Sequence, residues 1–172
     1  MNNIETQRLL LIPLTREQLE TGLTSIDDVS VQVGFPIVRN LIEGNTERAI
    51  KIKIEKMAKT PVDSHPWFTY WLIVIKSESI GAGLVGYKGP PDVHREVEIG
   101  YGIDPQFRRQ GFMTEAVKAL VEWAFSHQDC HVVVAPGVKI WNIGSQKVLT
   151  TAGFSEIFRD NEGIDYRLEK SQ

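Results

Sequence analysis

The chain has 172 residues, 42% hydrophobic and 24% charged, enough to bury a real core and ordinary for one globular domain, here expected over residues 1–172. A net charge of −3 leaves no global basic field for nucleic acid or an anionic membrane, and a weakly acidic body tolerates cationic substrates such as amines. The single Cys130 excludes an internal disulfide and a cysteine metal cluster. Lys76 and Glu78 interrupt the best apolar run, and Asn2, Asn3, Glu5 and Arg8 stand where a secretion signal needs apolar residues, so a cytoplasmic location is expected.

Residues 8–14 read as a first strand, and Thr15 with Gln18 forms a capping-box pattern that opens a short helix. Residues 22–36 mix Gly, Ser, Asp and Pro and read as loop. From Val38 to Ala58 apolar residues recur at helical spacing, giving one or two surface helices, and the two prolines of 60–66 mark a connector. Trp67–Ile75 and Ile80–Tyr87 read as an antiparallel hairpin, its alternating aromatics assigned to the core. Lys88–Asp92 is a turn. Glu96–Ile103 is the clearest strand: Val97, Ile99, Tyr101 and Ile103 take one face, Glu96, Glu98, Gly100 and Gly102 the other, and Pro105 ends it. A helix follows over Thr114–His127 with Met113, Ala116, Val117, Leu120, Val121 and Ala124 as its apolar stripe. His131–Ala135 is a short strand, Asn142–Thr151 a helix stopped at Gly153, and Phe154–Arg159 and Asp165–Leu168 are closing strands. The order predicts an α/β layered domain with a mixed sheet.

Residues 104–117 carry the strongest functional signal. A strand ends, a basic hinge containing Gly111 follows, and an amphipathic helix opens. A helix start presents unpaired N–H groups and the positive end of the macrodipole, so an anion fits there, and a glycine lets it approach the backbone. The pattern is neither a Walker loop nor a three-glycine dinucleotide fingerprint. Gly100 and Gly102 weaken the preceding strand and leave a bare channel that leads to the hinge. A thin chain leading to phosphates, such as pantetheine followed by pyrophosphate, has the shape to lie along it.

Glu-Ile-Gly-Tyr-Gly-Ile-Asp-Pro-Gln-Phe-Arg-Arg-Gln-Gly-Phe-Met-Thr-Glu-Ala, at 98–116, resembles motif A of the GNAT N-acetyltransferase superfamily, with Arg108, Gly111 and Met113 at its defined positions. Met113 departs from the small residue usual at the last of these. The form is similar to that of the branch of ribosomal-protein alanine acetyltransferases. Glu5-Thr6-Gln7-Arg8-Leu9 resembles that branch's opening strand, and Asn142-x-x-Ser145 with Gly153-Phe154 its later signature. The resemblance covers nearly the whole chain, most weakly at 22–66. It implies an acyl-CoA N-acyltransferase fold: a mixed central sheet with splayed parallel strands and helices on both faces.

The same resemblance implies acetyl-CoA as co-substrate and no metal. It places the pyrophosphate on backbone N–H groups of Arg108, Arg109, Gln110, Gly111, Phe112 and Met113, and pantetheine on the main chain of Tyr101, Gly102 and Ile103. Asn142 and Ser145 would lie near pantetheine and thioester. Direct transfer to an amine needs a base, for which Glu98 is the candidate, with Glu96 in reserve and His94 weaker; Glu98 read plainly is a solvent-facing strand carboxylate. Many members of the superfamily place a tyrosine seven residues after the asparagine, where this chain has Leu149, so Ser145 is the candidate acid and equally a helix-packing residue. Lys147 reads as an exposed helical lysine. Pro136-Gly137 and Trp141 fill a gap one residue longer than the branch leads one to expect, which bears on the acceptor pocket. The implied acceptor is a protein N-terminus, with a small amine, an amino acid or an aminoglycoside as alternatives, and a non-catalytic CoA-binding regulatory module as the rival of another class. No nucleic-acid or membrane partner is expected, and either a monomer or a homodimer fits.

Overall fold

The computed structural model describes residues 2–171. Its strands are β1 (Ile4–Glu5), β2 (Leu9–Pro13), β3 (Tyr70–Ile75), β4 (Ile80–Tyr87), β5 (Glu96–Ile103), β6 (Val132–Val138), β7 (Ser155–Arg159) and β8 (Ile164–Glu169). Its α-helices are α1 (Arg16–Gly22), α2 (Ile26–Val33), α3 (Asn45–Met57), α4 (His65–Phe68), α5 (Phe112–Phe125) and α6 (Ile143–Ala152). The strands form one mixed sheet in the order β1-β2-β3-β4-β5-β6-β8-β7. Among the described residues β5 and β6 pair parallel, and every other neighbouring pair is antiparallel.

Alternation along the strands divides the core in two. Trp71, Ile73 and Ile75 of β3 join Val117, Leu120 and Ala124 of α5 and Leu149 of α6. Leu72 and Val74 of the same strand join Leu19 of α1, Val29 of α2 and Ile50 and Met57 of α3. Helices therefore cover both faces of the sheet. The expected stripe of α5, from Met113 through Ala116, Val117, Leu120 and Val121 to Ala124, is buried throughout.

Three segments differ from their sequence reading. The stretch 22–36 holds α2, because the residues that signalled a loop are its caps: Ser25 accepts the N–H of Asp28, and Gly34 ends the helix at φ 79°. The helical pattern from Val38 yields a helix only from Asn45, since Ile37 instead forms a bridge with Gly81. The strand expected from Trp67 starts at Tyr70, because Pro66 sits in the first turn of α4, where its missing N–H costs nothing. Trp67 and Phe68 are buried nonetheless, in opposite halves of the core.

Candidate active site

The hinge between β5 and α5 is built to leave amides open. Asp104 accepts the N–H of Gln106 and caps a short 3-10 turn over Pro105–Phe107. The chain then passes through left-handed conformations at Arg109 (φ 60°) and Gly111 (φ 80°) on either side of Gln110, an alternation that gathers N–H groups on one concave side. Gly111 caps α5 without any side-chain hydrogen bond, so the amides of Phe112, Met113 and Thr114 have no helical acceptor. The side chains of Phe112 and Met113 are buried, leaving only their backbone to face a ligand. Arg108 is a correction to the expected amide set: its N–H donates to the Pro105 carbonyl at 3.3 Å. Its guanidinium Nε reaches the Ile103 carbonyl, also at 3.3 Å.

From this hinge a groove of about 670 Å³ runs back along the sheet, lined among others by Tyr70, Leu84, Tyr101, Gly102, Gln106 and Arg108. Its backbone edge follows from parity. Lys88 donates its N–H to the Glu98 carbonyl and Asp104 to the Ala82 carbonyl, so even-numbered residues of β5 turn their main chain toward β4. Ile99, Tyr101 and Ile103 turn theirs toward β6. That strand pairs only at Glu96↔Val132, Val97↔Val133 and Glu98↔Val134, and beyond there it is paired to β8 while β5 has an open edge. The expectation for Gly102 is corrected accordingly: its main chain belongs to the β4 pairing. Gly102 and Gly100 contribute bare surface instead, since a Cβ at either would meet nothing within 4 Å.

Glu98 lies on the glycine-lined side of β5, where its carboxylate forms an ion pair with Lys88. Glu96, in reserve, pairs with Arg167 at 2.6 Å. Both line a cavity of about 310 Å³ together with Asp92, Pro136, Ile157 and Tyr166. The bulge in β6 between Ala135 and Val138 falls at the Pro136-Gly137 insertion, and Asp165 accepts the Gly137 N–H at 2.7 Å to hold it. His94 sits exposed in the turn before β5, its amide held by the Asp92 carboxylate.

Across the opening, α6 presents its first turn. Asn142 is its N-cap and accepts the Ser145 N–H at 3.1 Å, so its side chain already has a structural task. Ser145 Oγ lies 2.7 Å from the Tyr101 hydroxyl, so the two residues meet behind the open edge. Burial, the largest influence, pushes the Tyr101 hydroxyl up to about 12 against the Ser145 hydrogen bond, and the tyrosine stays a neutral donor at any physiological pH. Leu149 is fully buried, while Trp141 and Lys147 are exposed.

Sequence reasoning did not join Thr6 and Arg8 to the hinge. Thr6 Oγ1 donates to Glu115 Oε1 at 2.6 Å, the Arg8 amide donates to the same oxygen at 2.9 Å, and Arg8 Nε donates to Oε2 at 2.6 Å. Arg8 also donates to the Gln110 carbonyl at 2.9 Å and stacks on Phe112 at 4.7 Å. Burial alone would raise Glu115, but the Thr6 and Arg8 hydrogen bonds and the Arg8 charge outweigh it and hold its carboxyl below the usual range. The signal was present as two separate segments, Thr6-Gln7-Arg8 and Met113-Thr114-Glu115-Ala116, whose spacing in sequence gives no hint of contact.

A family model described as an acetyltransferase (GNAT) domain matches residues 8–155. The uncharacterized N-acetyltransferase YjdG of Bacillus subtilis (strain 168) is 36% identical over 87 residues, 51% of this chain and 51% of that protein. The chain spans 51%, 38% and 66% of the length of three curated relatives it matches. Among solved structures, a ribosomal-protein-S5-alanine acetyltransferase from Vibrio fischeri superposes with a TM-score of 0.64 at 19% identity, over 98% of this chain and 97% of that one. A ribosomal L7/L12 alpha-N-protein acetyltransferase, RimL, in complex with coenzyme A superposes with a TM-score of 0.65 at 14% identity, over 98% of both chains. At such identities the likeness is one of fold. No helix of the described residues is long and apolar enough to cross a membrane.

Proposed function

The chain belongs to the GNAT acetyltransferase family, and from that premise we propose that it moves an acetyl group from acetyl-CoA to a primary amine by direct transfer, the acceptor being a protein N-terminus. One observation carries this reading. The open edge of β5 at Tyr101 and Ile103 leads along a bare glycine surface to an uncapped helix start. Main-chain groups for a peptide-like arm and amides for a pyrophosphate thus stand in one line. The protein-acceptor part is supported by the printed activities of the structural neighbours, ribosomal-protein acetyltransferases.

The co-substrate supplies an activated thioester; the protein supplies position and proton handling. The amides of Phe112, Met113 and Thr114 at the start of α5 neutralise phosphate charge, helped by the helix dipole. The open amides of Tyr101 and Ile103 hold the arm and aim its end at the point where β6 departs. Glu98, which is ion-paired with Lys88, takes the ammonium proton directly or through water. As the new N–C bond forms, the nitrogen sheds its second proton to water, the C–S bond breaks and its electron pair leaves on sulfur, where a hydrogen bond from Ser145 stabilises the charge. A thiolate is a fair leaving group, so that donor need not be a strong acid.

Calorimetric titration with acetyl-CoA tests the donor site, and release of free thiol across a panel of amines tests the acceptor. Micromolar binding that is lost in Gly111→Asp is expected, because a side chain there meets Arg8 at 3.2 Å in a left-handed conformation and brings a negative charge to the phosphate position. Faster thiol release with peptides bearing a free N-terminus than with N-acetylated peptides, amino acids or aminoglycosides is the expected ranking. Preference for a small amine would move the acceptor class, and binding without release on any amine would favour a regulatory CoA-binding module.

A further inference from the structure

Tyr101 has a side chain as well as an edge. It projects from β5 on the face opposite Gly100 and Gly102, spans the space left where β5 and β6 separate, and ends on the first turn of α6. Its hydroxyl is 2.7 Å from Ser145 Oγ and 3.3 Å from the Ser145 carbonyl. Ser145 is itself fixed, its amide donated to Asn142 Oδ1 at 3.1 Å. A serine hydroxyl has one proton and rotates to suit its neighbours. If it donates to Tyr101, it has nothing to offer a sulfur; if Tyr101 donates to it, its own proton is free to point into the gap.

We propose that Tyr101 is the positioning residue for Ser145: the tyrosine hydroxyl donates to Ser145 Oγ and thereby directs the serine proton toward the sulfur of a bound coenzyme A. This rests on the acetyl-transfer reading of the same site and deepens it, since there Ser145 acts alone. No proton leaves either hydroxyl. The C–S electron pair ends on sulfur, sulfur accepts the Ser145 hydrogen bond, the ammonium proton goes to Glu98 and the second nitrogen proton to water, and the released thiolate takes its proton from solvent. Burial keeps the Tyr101 hydroxyl protonated, because an ionised Tyr101 would be costly there, so the proton to be donated is present. Tyr166 of β8 is the other titratable group that bears on it, and it too is raised, by its own burial. The paired donors form a short chain, in which each hydrogen bond polarises the next.

The test reads the thiol of bound coenzyme A rather than turnover. Coenzyme A is bound to the full-length protein, and the thiolate absorbance in the ultraviolet is followed against pH for wild type, Tyr101→Phe, Ser145→Ala and the double variant. A hydrogen bond to the anion lowers the thiol pKa, so wild type should titrate about one pH unit below Ser145→Ala. Tyr101→Phe should lose most of that shift while calorimetry shows coenzyme A affinity within about threefold of wild type, and the double variant should match Ser145→Ala because the two residues act in series. Ser145→Thr, which keeps a hydroxyl, should restore the wild-type value only when Tyr101 is present. A Tyr101→Phe thiol that titrates as in wild type, or single-variant shifts that add in the double variant, would overturn the proposal and leave acetyl transfer standing. No coenzyme A binding by wild type would overturn both.

Discussion

Glu98 is the residue on which the chemistry turns, and its position is informative in both directions. It sits beside the last parallel pairing of β5 with β6, at the head of the glycine-lined surface, yet it is ion-paired with Lys88. Glu98→Gln keeps shape and removes the acceptor, so kcat should fall by about 10²-fold with acetyl-CoA affinity unchanged, checked by thiol release and calorimetry. An unchanged kcat would hand the role to Glu96 or to water. Lys53 makes a second residue-scale prediction, about stability. Its ammonium donates to the carbonyls of Phe68 at 2.8 Å and Tyr87 at 2.6 Å and lies 4.3 Å from the Tyr70 ring centre. Burial first, then the nearby charges of Lys56 and Lys88, pushes it down to about 7. The unfolded chain keeps this proton to about pH 10, so between the two values the unfolded state binds more protons and stability rises with pH. Urea unfolding at pH 7 and 9 should show a rise of at most about 1.4 kcal/mol per pH unit from this group, absent in Lys53→Met.

Elements were legible where one signal dominated. Glu96–Ile103 became β5 with its boundaries intact, and Thr15 with Gln18 formed a complete capping box on α1, because alternation and capping are local rules. Where two local signals competed the sequence misled. Ser25 and Gly34 looked like loop residues and are helix caps; Pro66 ahead of aromatics looked like a connector into a strand and opens a helical turn. The hinge was legible as an anion site, but not what fixes it, since Glu115 meets Thr6 and Arg8 across more than a hundred residues of sequence. Nor could the sequence give the parity of β5, which depends on which neighbour each amide faces, or the meeting of Tyr101 with Ser145. At this scale Glu115→Ala should release the Arg8 side chain from the hinge and free the Thr6 and Arg8 donors. Acetyl-CoA affinity should drop by roughly tenfold, and stability by about 1–3 kcal/mol, measured by calorimetry and urea unfolding. Equal affinity in the variant would mean that the hinge is set by Arg109 and Gly111 alone.

At the scale of the whole molecule, the sheet is two antiparallel blocks joined by three residue pairs between β5 and β6. The join is reinforced behind by α5 packed on α6 and by Tyr101 reaching Ser145, while on the other side a Cβ at Gly100 or Gly102 would meet nothing within 4 Å. A ligand lying in the opening would touch both blocks: main chain on β5, the start of α5 and the first turn of α6. It would therefore act as a cross-link of the native state, one the unfolded chain cannot bind. At a free acetyl-CoA concentration a hundred times its Kd, the linkage is worth about 2.7 kcal/mol, and for a chain of this size that corresponds to a rise in melting temperature of about 5–10 °C. The rise should grow with the logarithm of ligand concentration and vanish in Gly111→Asp. Amide exchange should slow at Tyr101, Ile103 and Phe112–Thr114 in particular, the groups with open partners, and change little in β3, whose amides are already paired on both sides. Protection spread evenly over the sheet with no excess at those amides would mean that the ligand binds elsewhere, and the line from open edge to helix start would not be the donor site.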